Sequence, residues 1–190
     1  MVEAVLQAAA EVFAELGYAR ATTNKIALRA GVSIGSLYQY FPNKDSLLAE
    51  LLAQHHADVH RVLDRALQRF DDPDVPFRSG IRQLLIDLVA LHRANPALTR
   101  ALSATVLRQS PAADGVHDED DAHLVQRVAA TLARRSDVRA GDHLAMALVL
   151  GQIASQLTRW LVHDAPPAVP FQTLLEESVE LLSRYVSAAP

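Results

Sequence analysis

Apolar side chains recur at three- and four-residue spacing along most of the chain, the signature of helices with one buried stripe. Residues 2–16 place Val2, Val5, Leu6, Ala9, Val12, Phe13 and Leu16 on one side and Glu3, Glu11 and Glu15 on the other, before Gly17 ends the pattern. A longer helix is expected over 44–70, through Leu47, Leu48, Leu51, Leu52, Val59, Val62, Leu63 and Leu67, with no Gly or Pro. The turn cluster Asp71-Asp72-Pro73-Asp74-Val75-Pro76 separates it from a helix over 77–94 carrying Ile81, Leu84, Leu85, Leu88, Val89 and Leu91. Asn95-Pro96 breaks the pattern, and a further helix is expected over 96–109. After a loop over 110–121 comes a helix with Leu124, Val125, Val128 and Leu132, ending at Arg134-Arg135. Residues 139–163 are the most hydrophobic, with apolar side chains on nearly every face from 144 to 154, and this helix is expected to be buried all round. Beyond Pro166-Pro167, a last helix over 171–187 carries Leu174, Leu175, Val179, Leu182 and Val186. No alternating strand-like run and no internal repeat appears, so the fold class is all-α.

Residues 22–44, TTNKIALRAGVSIGSLYQYFPNK, specify more than packing. Thr22 suits a helix start, and Ile26, Ala27 and Ala30 share one face. Gly31 tolerates the left-handed backbone of a helix end, Val32 plugs the corner, and Ser33 caps the next helix. On that second helix Leu37 and Phe41 fall together as anchors, while Gly35, Ser36 and Gln39 fall opposite. Gly35 lets the backbone approach a groove; Ser36 and Gln39 carry donors and acceptors for base edges; Tyr38 and Tyr40 flank them with hydroxyls suited to phosphates. Asn43 caps the third helix, whose first turn holds Lys44. This is a helix-turn-helix presenting a short polar surface to DNA.

Charge sharpens that reading. Residues 20–44 hold Arg20, Lys25, Arg29 and Lys44 and no acid; the chain is −4 overall, so the rest carries −8. A basic strip on an acidic protein fits a nucleic-acid site confined to one end, and four cations call for a second copy to double the contact.

Rival chemistry is weaker. Gly31-Val32-Ser33-Ile34-Gly35 satisfies G-x-S-x-G, but a nucleophile elbow needs a preceding strand, and residues 22–30 have helical spacing. His56, His60 and Asp64 recur at i, i+4, i+8 and are read as outer-face polar residues rather than metal ligands. Asp118-Glu119-Asp120-Asp121 lacks the spacing and central Gly of a calcium loop and is read as helix-start acids. No nucleophile and base, and no carboxylate pair, falls on a buried stripe, so neither an enzyme nor a cofactor is expected.

Thr22, Ile26-Ala27, Ala30-Gly31-Val32-Ser33, Gly35-Ser36-Leu37-Tyr38, Tyr40-Phe41, Lys44 and Leu47, preceded by Ala8-Ala9 and Phe13 through Gly17-Tyr18, resemble the DNA-binding signature of the TetR/AcrR family of bacterial one-component regulators. The resemblance covers roughly residues 2–52. It implies base contacts from Ile34, Gly35, Ser36 and Tyr38, sometimes Gln39, and phosphate contacts from Thr22, Thr23, Ser33, Tyr40 and Lys44. It also implies that the last two long helices pair across a two-fold axis. Two departures stand out. Lys25 replaces the acid that many relatives carry, which removes a capping box and leaves Lys25 to face phosphate. The sequence starts at Met1-Val2-Glu3, where many relatives carry a basic arm before the first helix.

The expected organisation is therefore a helix-turn-helix DNA-binding domain at 1–48 and an effector-binding and dimerisation domain at 49–190. The candidate effector pocket is Leu84, Leu88, His92, Val106, Met146 and Leu150; the candidate dimer seam is Leu157, Trp160, Leu161, Leu174, Val179 and Leu182. The expected partners are double-stranded operator DNA, a small hydrophobic effector and a second copy. The functional expectation is a ligand-responsive repressor released from a palindromic operator, the alternative being a helical interaction or structural dimer that binds no DNA. With no cysteine, no signal peptide and no apolar run near the ~20 residues that span a bilayer, the expected location is the cytoplasm.

Overall fold

The computed structural model describes residues 1–101 and 118–187, with side chains described for 1–101 and 122–187. Helices α1 (Val2–Arg20), α2 (Thr23–Ala30), α3 (Ile34–Tyr38), α4 (Lys44–Phe70), α5 (Phe77–Ala94), α6 (Pro96–Ala101), α7 (Asp118–Arg134), α8 (His143–His163) and α9 (Phe171–Val186) account for the described chain, and no strand occurs among the described residues. The all-α expectation holds. Gly17, with φ 72° and ψ 160°, interrupts α1 where its apolar stripe ends. Gly has no Cβ to clash in that left-handed region.

Two compact units form, each with its own core. The first comprises Met1–Ala57 and the described part of Asn95–Asp118, so it takes in residues 49–57, which the sequence assigned to the second domain, as well as α6. Its core shows why: Phe13 of α1, Ile26 of α2, Leu37 of α3, Leu48 and Leu52 of α4 and Leu98 of α6 bury one another. Apolar surface withdrawn from water holds them together, at roughly 1.5–3 kcal/mol for each large side chain.

The second unit comprises Asp58–Ala94 and the described part of Glu119–Pro190. Here α5, α8 and α9 pack pairwise around Leu85, Met146, Leu175, Val179 and Val186. Helix α7 begins at Asp118, inside the stretch expected to be loop, and α8 begins at His143, because the Asp142 carboxylate accepts the Leu144 and Ala145 N–H groups and fixes the start there. The helix expected over 96–109 is described only as far as Ala101.

One expectation is overturned. Helix α8 is not buried all round: Met146, Ala147, Leu150, Ala154 and Leu161 point inward, whereas Leu144, Leu148, Val149 and Trp160 are exposed. Among the described residues, α5 and α9 are the helices that pack most closely on it, and they meet its inward side.

Arg135, expected from its spacing only to end a helix, ties the end of α4 to the end of α7. Its guanidinium donates to both Asp137 carboxylate oxygens at 2.7 and 2.8 Å, to Phe70 O at 2.8 Å and to Val75 O at 2.8 Å, with only 8% of the side chain exposed. Arg135→Ala strips the donors from turn carbonyls that have little water, and should cost about 2 kcal/mol in urea unfolding. The Arg135 hydrogen bond, then the Phe77 N–H, hold the Asp137 carboxyl below its ordinary range. This stabilisation is present above the unfolded carboxylate pKa of about 3.9 and is lost as pH falls through the lower folded value, so the mutant's deficit should shrink only in strong acid. A constant deficit down to low pH would rule out this clasp.

Candidate nucleic-acid interface

The turn between α2 and α3 is built from backbone and hydroxyl capping. Thr22 Oγ1 accepts the Lys25 N–H at 3.3 Å and opens α2. At the other end Gly31 adopts φ 69° and ψ 27°, so that Gly31 N–H reaches Leu28 O at 3.2 Å and Val32 N–H reaches Ala27 O at 3.0 Å. These paired bonds satisfy the last carbonyls and turn the chain sharply. Ser33 Oγ accepts the Ser36 N–H at 3.0 Å to open α3, and Asn43 Oδ1 accepts the Ser46 N–H at 2.8 Å to open α4. A helix and not a strand therefore precedes Ser33, whose hydroxyl serves as a cap.

The inward and outward faces of α3 separate as the spacing requires. Leu37 is fully buried and Phe41 is 8% exposed, while Ile34, Gly35, Tyr38, Gln39 and Tyr40 are exposed. A Cβ at Gly35 would meet only Ser33 Oγ at 3.8 Å, so the space beyond it is open. The Tyr38 hydroxyl lies 3.0 Å from Thr23 Oγ1, which fixes the phenol ring across the α2–α3 corner. Ser36 is half-buried, and its hydroxyl is 2.8 Å from Ser33 Oγ. It is thus partly engaged in capping, while Gln39 and Tyr40 are exposed at the far end of the same surface.

The basic strip is less free than its composition implies. Arg29 is held by Glu15 at 2.7 Å and Glu11 at 3.2 Å, both from α1. The Arg29 hydrogen bond keeps the Glu15 carboxyl below its ordinary range, and the two acids raise Arg29 further above the usual arginine value. Lys44 Nζ donates to Tyr18 O at 3.0 Å and lies 4.1 Å from the Tyr18 ring centroid, turned towards its own unit. Lys25 Nζ donates to Arg20 O at 3.0 Å. A phosphate contact from Lys44 or Lys25 requires the ammonium to leave these carbonyls. The sequence hides this because Glu11, Glu15 and Tyr18 lie outside the 22–44 stretch.

In the second unit, Leu84, Leu88, Met146 and Leu150 of the candidate pocket do meet in one core cluster, and His92 is buried on α5; Val106 lies outside the described residues. The candidate dimer seam needs correction. Leu161, Val179 and Leu182 are 4%, 0% and 1% exposed, filling their own unit's core, so they cannot also face a second copy. Leu157 and Leu174 are half-buried against that core, and only Trp160 stands clear. The large apolar residues exposed on these helices are instead Leu144, Leu148, Val149 and Trp160 on α8 and Leu181 on α9. Asp64, from the histidine series on α4, pairs with Arg127 at 2.7 Å.

Residues 5–51 match the family model described as bacterial regulatory proteins, tetR family, and residues 76–185 match the tetracyclin repressor-like C-terminal domain. The chain is 30% identical over 182 residues to the HTH-type transcriptional repressor KstR of Rhodococcus jostii, spanning 94% of this chain and 80% of that protein. It is 29% identical over 174 residues to the nucleoid occlusion factor SlmA of Vibrio cholerae, spanning 85% and 84%. A solved tetR-family regulatory protein from Rhodococcus RHA1 superposes with a TM-score of 0.75 at 25% identity, over 100% of this chain and 98% of that one. The fatty acid degradation regulator FadR of Bacillus halodurans shares the fold with a TM-score of 0.72 at 20% identity, over 96% and 94%. No helix among the described residues is long and apolar enough to cross a membrane. With both halves matched and a helix-turn-helix of the required geometry, this chain belongs to the tetR family of bacterial regulatory proteins and is a DNA-binding transcriptional regulator.

Proposed function

We propose that the chain is a cytoplasmic, ligand-responsive repressor that works as a homodimer. Two copies place their α3 helices in successive major grooves of a palindromic operator, and a small hydrophobic effector releases them. The observation that carries this reading is the outward face of α3, where Gly35, Tyr38 and Gln39 are exposed while Leu37 and Phe41 anchor the helix from behind. The exposed apolar face of α8 supports the second copy, and the likeness to the repressor KstR supports repression. The effector is expected among Leu84, Leu88, His92, Val106, Met146 and Leu150, and it acts by preferring the subunit arrangement that separates the two α3 helices wrongly for the operator.

A gel shift with DNA from upstream of the protein's own gene tests this. The wild-type chain should shift the fragment, Tyr38→Ala should bind at least about ten-fold more weakly, and one member of a panel of hydrophobic compounds should abolish the shift. Equal binding by wild type and Tyr38→Ala would remove Tyr38 from the reading surface.

A further inference from the structure

Helix α8 presents a face that its own unit does not cover. At 100° per residue Leu144, Leu148, Gln152, Ser155 and Arg159 form one line along the middle of that face. All but Arg159 are exposed. Arg159 is half-buried with no carboxylate in ion-pair distance among the described residues, and burial pushes its guanidinium below the ordinary arginine value. A cation this desolvated and unpaired is costly, and the cost grows once a neighbouring surface excludes the remaining water.

The acids of the same two helices are mostly spoken for. On α9, Glu176 pairs with Arg82 at 2.7 Å, and Glu180 pairs with Arg184 and with Arg78 at 3.4 Å. Glu177 is exposed and has no cation in ion-pair distance among the described residues, one helical turn before the exposed Leu181. Among the described residues, α8 thus carries Arg159 and α9 carries Glu177 without an ion-pair partner, each within one helical turn of a large exposed hydrophobe, Trp160 or Leu181.

We propose that Arg159 pairs with Glu177 of a second copy, so that two symmetry-related ion pairs set the register of the apolar contact made by Leu144, Leu148, Trp160 and Leu181. This rests on the homodimer reading above. In a two-fold interface the contact from Arg159 to Glu177 occurs twice, so one substitution removes both pairs. The apolar residues supply most of the adhesion and the paired charges supply discrimination, because a mismatched register leaves two desolvated charges without partners.

Charge reversal with light scattering over a concentration series tests the pairing, with circular dichroism to confirm that each variant is folded. Arg159→Glu and Glu177→Arg should each weaken self-association at least about ten-fold. The double variant carrying both should regain it. An equimolar mixture of the two single variants should form a heterodimer tighter than either alone, since each copy then offers the charge the other lacks. A dimer that survives Arg159→Glu unchanged but dissociates with Leu148→Glu overturns the ion pair and leaves the homodimer standing. A wild-type chain that stays monomeric throughout overturns both.

Discussion

Gly35→Leu should leave the fold intact and reduce operator affinity by roughly 100-fold or more. The expectation follows from what surrounds the glycine. A Cβ there would touch only Ser33 Oγ at 3.8 Å, and Gly35 takes no left-handed backbone, so the unbound chain gives no reason to exclude a larger residue. Leucine favours a helix over glycine by about 1 kcal/mol, so thermal stability should stay level or rise slightly. In the proposed complex with DNA, the same position lies where backbone and base edges must approach. A leucine there holds α3 out of the major groove and separates Tyr38 and Gln39 from the groups they would meet. A loss of about 100-fold is near 2.7 kcal/mol, equivalent to one or two good base contacts. The measurement is operator affinity by fluorescence anisotropy at fixed salt, alongside the melting temperature. Retained affinity at unchanged stability would mean that the open face of α3 does not enter DNA.

The weak cation supply bears on the same measurement. Arg29 is neutralised by Glu11 and Glu15, and Lys44 is folded back on Tyr18, so few charges are poised to release counterions from phosphate. On the proposed docking, specificity falls more heavily on the shape and polarity of α3 than on a dense basic surface.

The helix-turn-helix was legible because its determinants are local. Capping by Thr22, Ser33 and Asn43, the left-handed Gly31 and the inward pair Leu37 and Phe41 each depend on neighbours within a few residues, and all stand where the spacing put them. What failed depends on distant partners. In a helix such as α8, apolar on nearly every face, periodicity cannot say which side meets α5 and α9 and which is left open. The same ambiguity misassigned Leu161, Val179 and Leu182 to a dimer seam, since a leucine needed by its own core and one needed by a second copy look identical in sequence. The grouping of α6 with the first unit was hidden for a similar reason, because Leu98 packs with residues more than forty positions away in the chain.

Gly80 is the opposite case, because its signal is local: a glycine inside a strongly apolar helical stripe. A glycine inside a strongly patterned helix costs about 1 kcal/mol relative to alanine, so something must require it. The structure supplies the cause. A Cβ on Gly80 would come within 2.2 Å of Phe70 Cε1 and within 2.9 Å of two more ring atoms. The Phe70 ring cannot swing aside freely, because it stacks on Phe77 at a centroid distance of 5.0 Å and both are buried. Gly80→Ala therefore forces α4 and α5 apart or pushes an aromatic ring off its rotamer, and should destabilise the chain by about 3 kcal/mol, the upper end of the usual overpacking range. For a protein of this size that lowers the melting temperature by roughly 6–12 °C. Phe70→Leu alone leaves a partly filled hole and should cost about 2 kcal/mol. Combined, the two changes relieve each other, since the smaller side chain makes room for the new methyl group, and the double variant should be clearly more stable than the sum of the single losses predicts. Strict additivity in chemical denaturation would show that Gly80 is not there to seat Phe70.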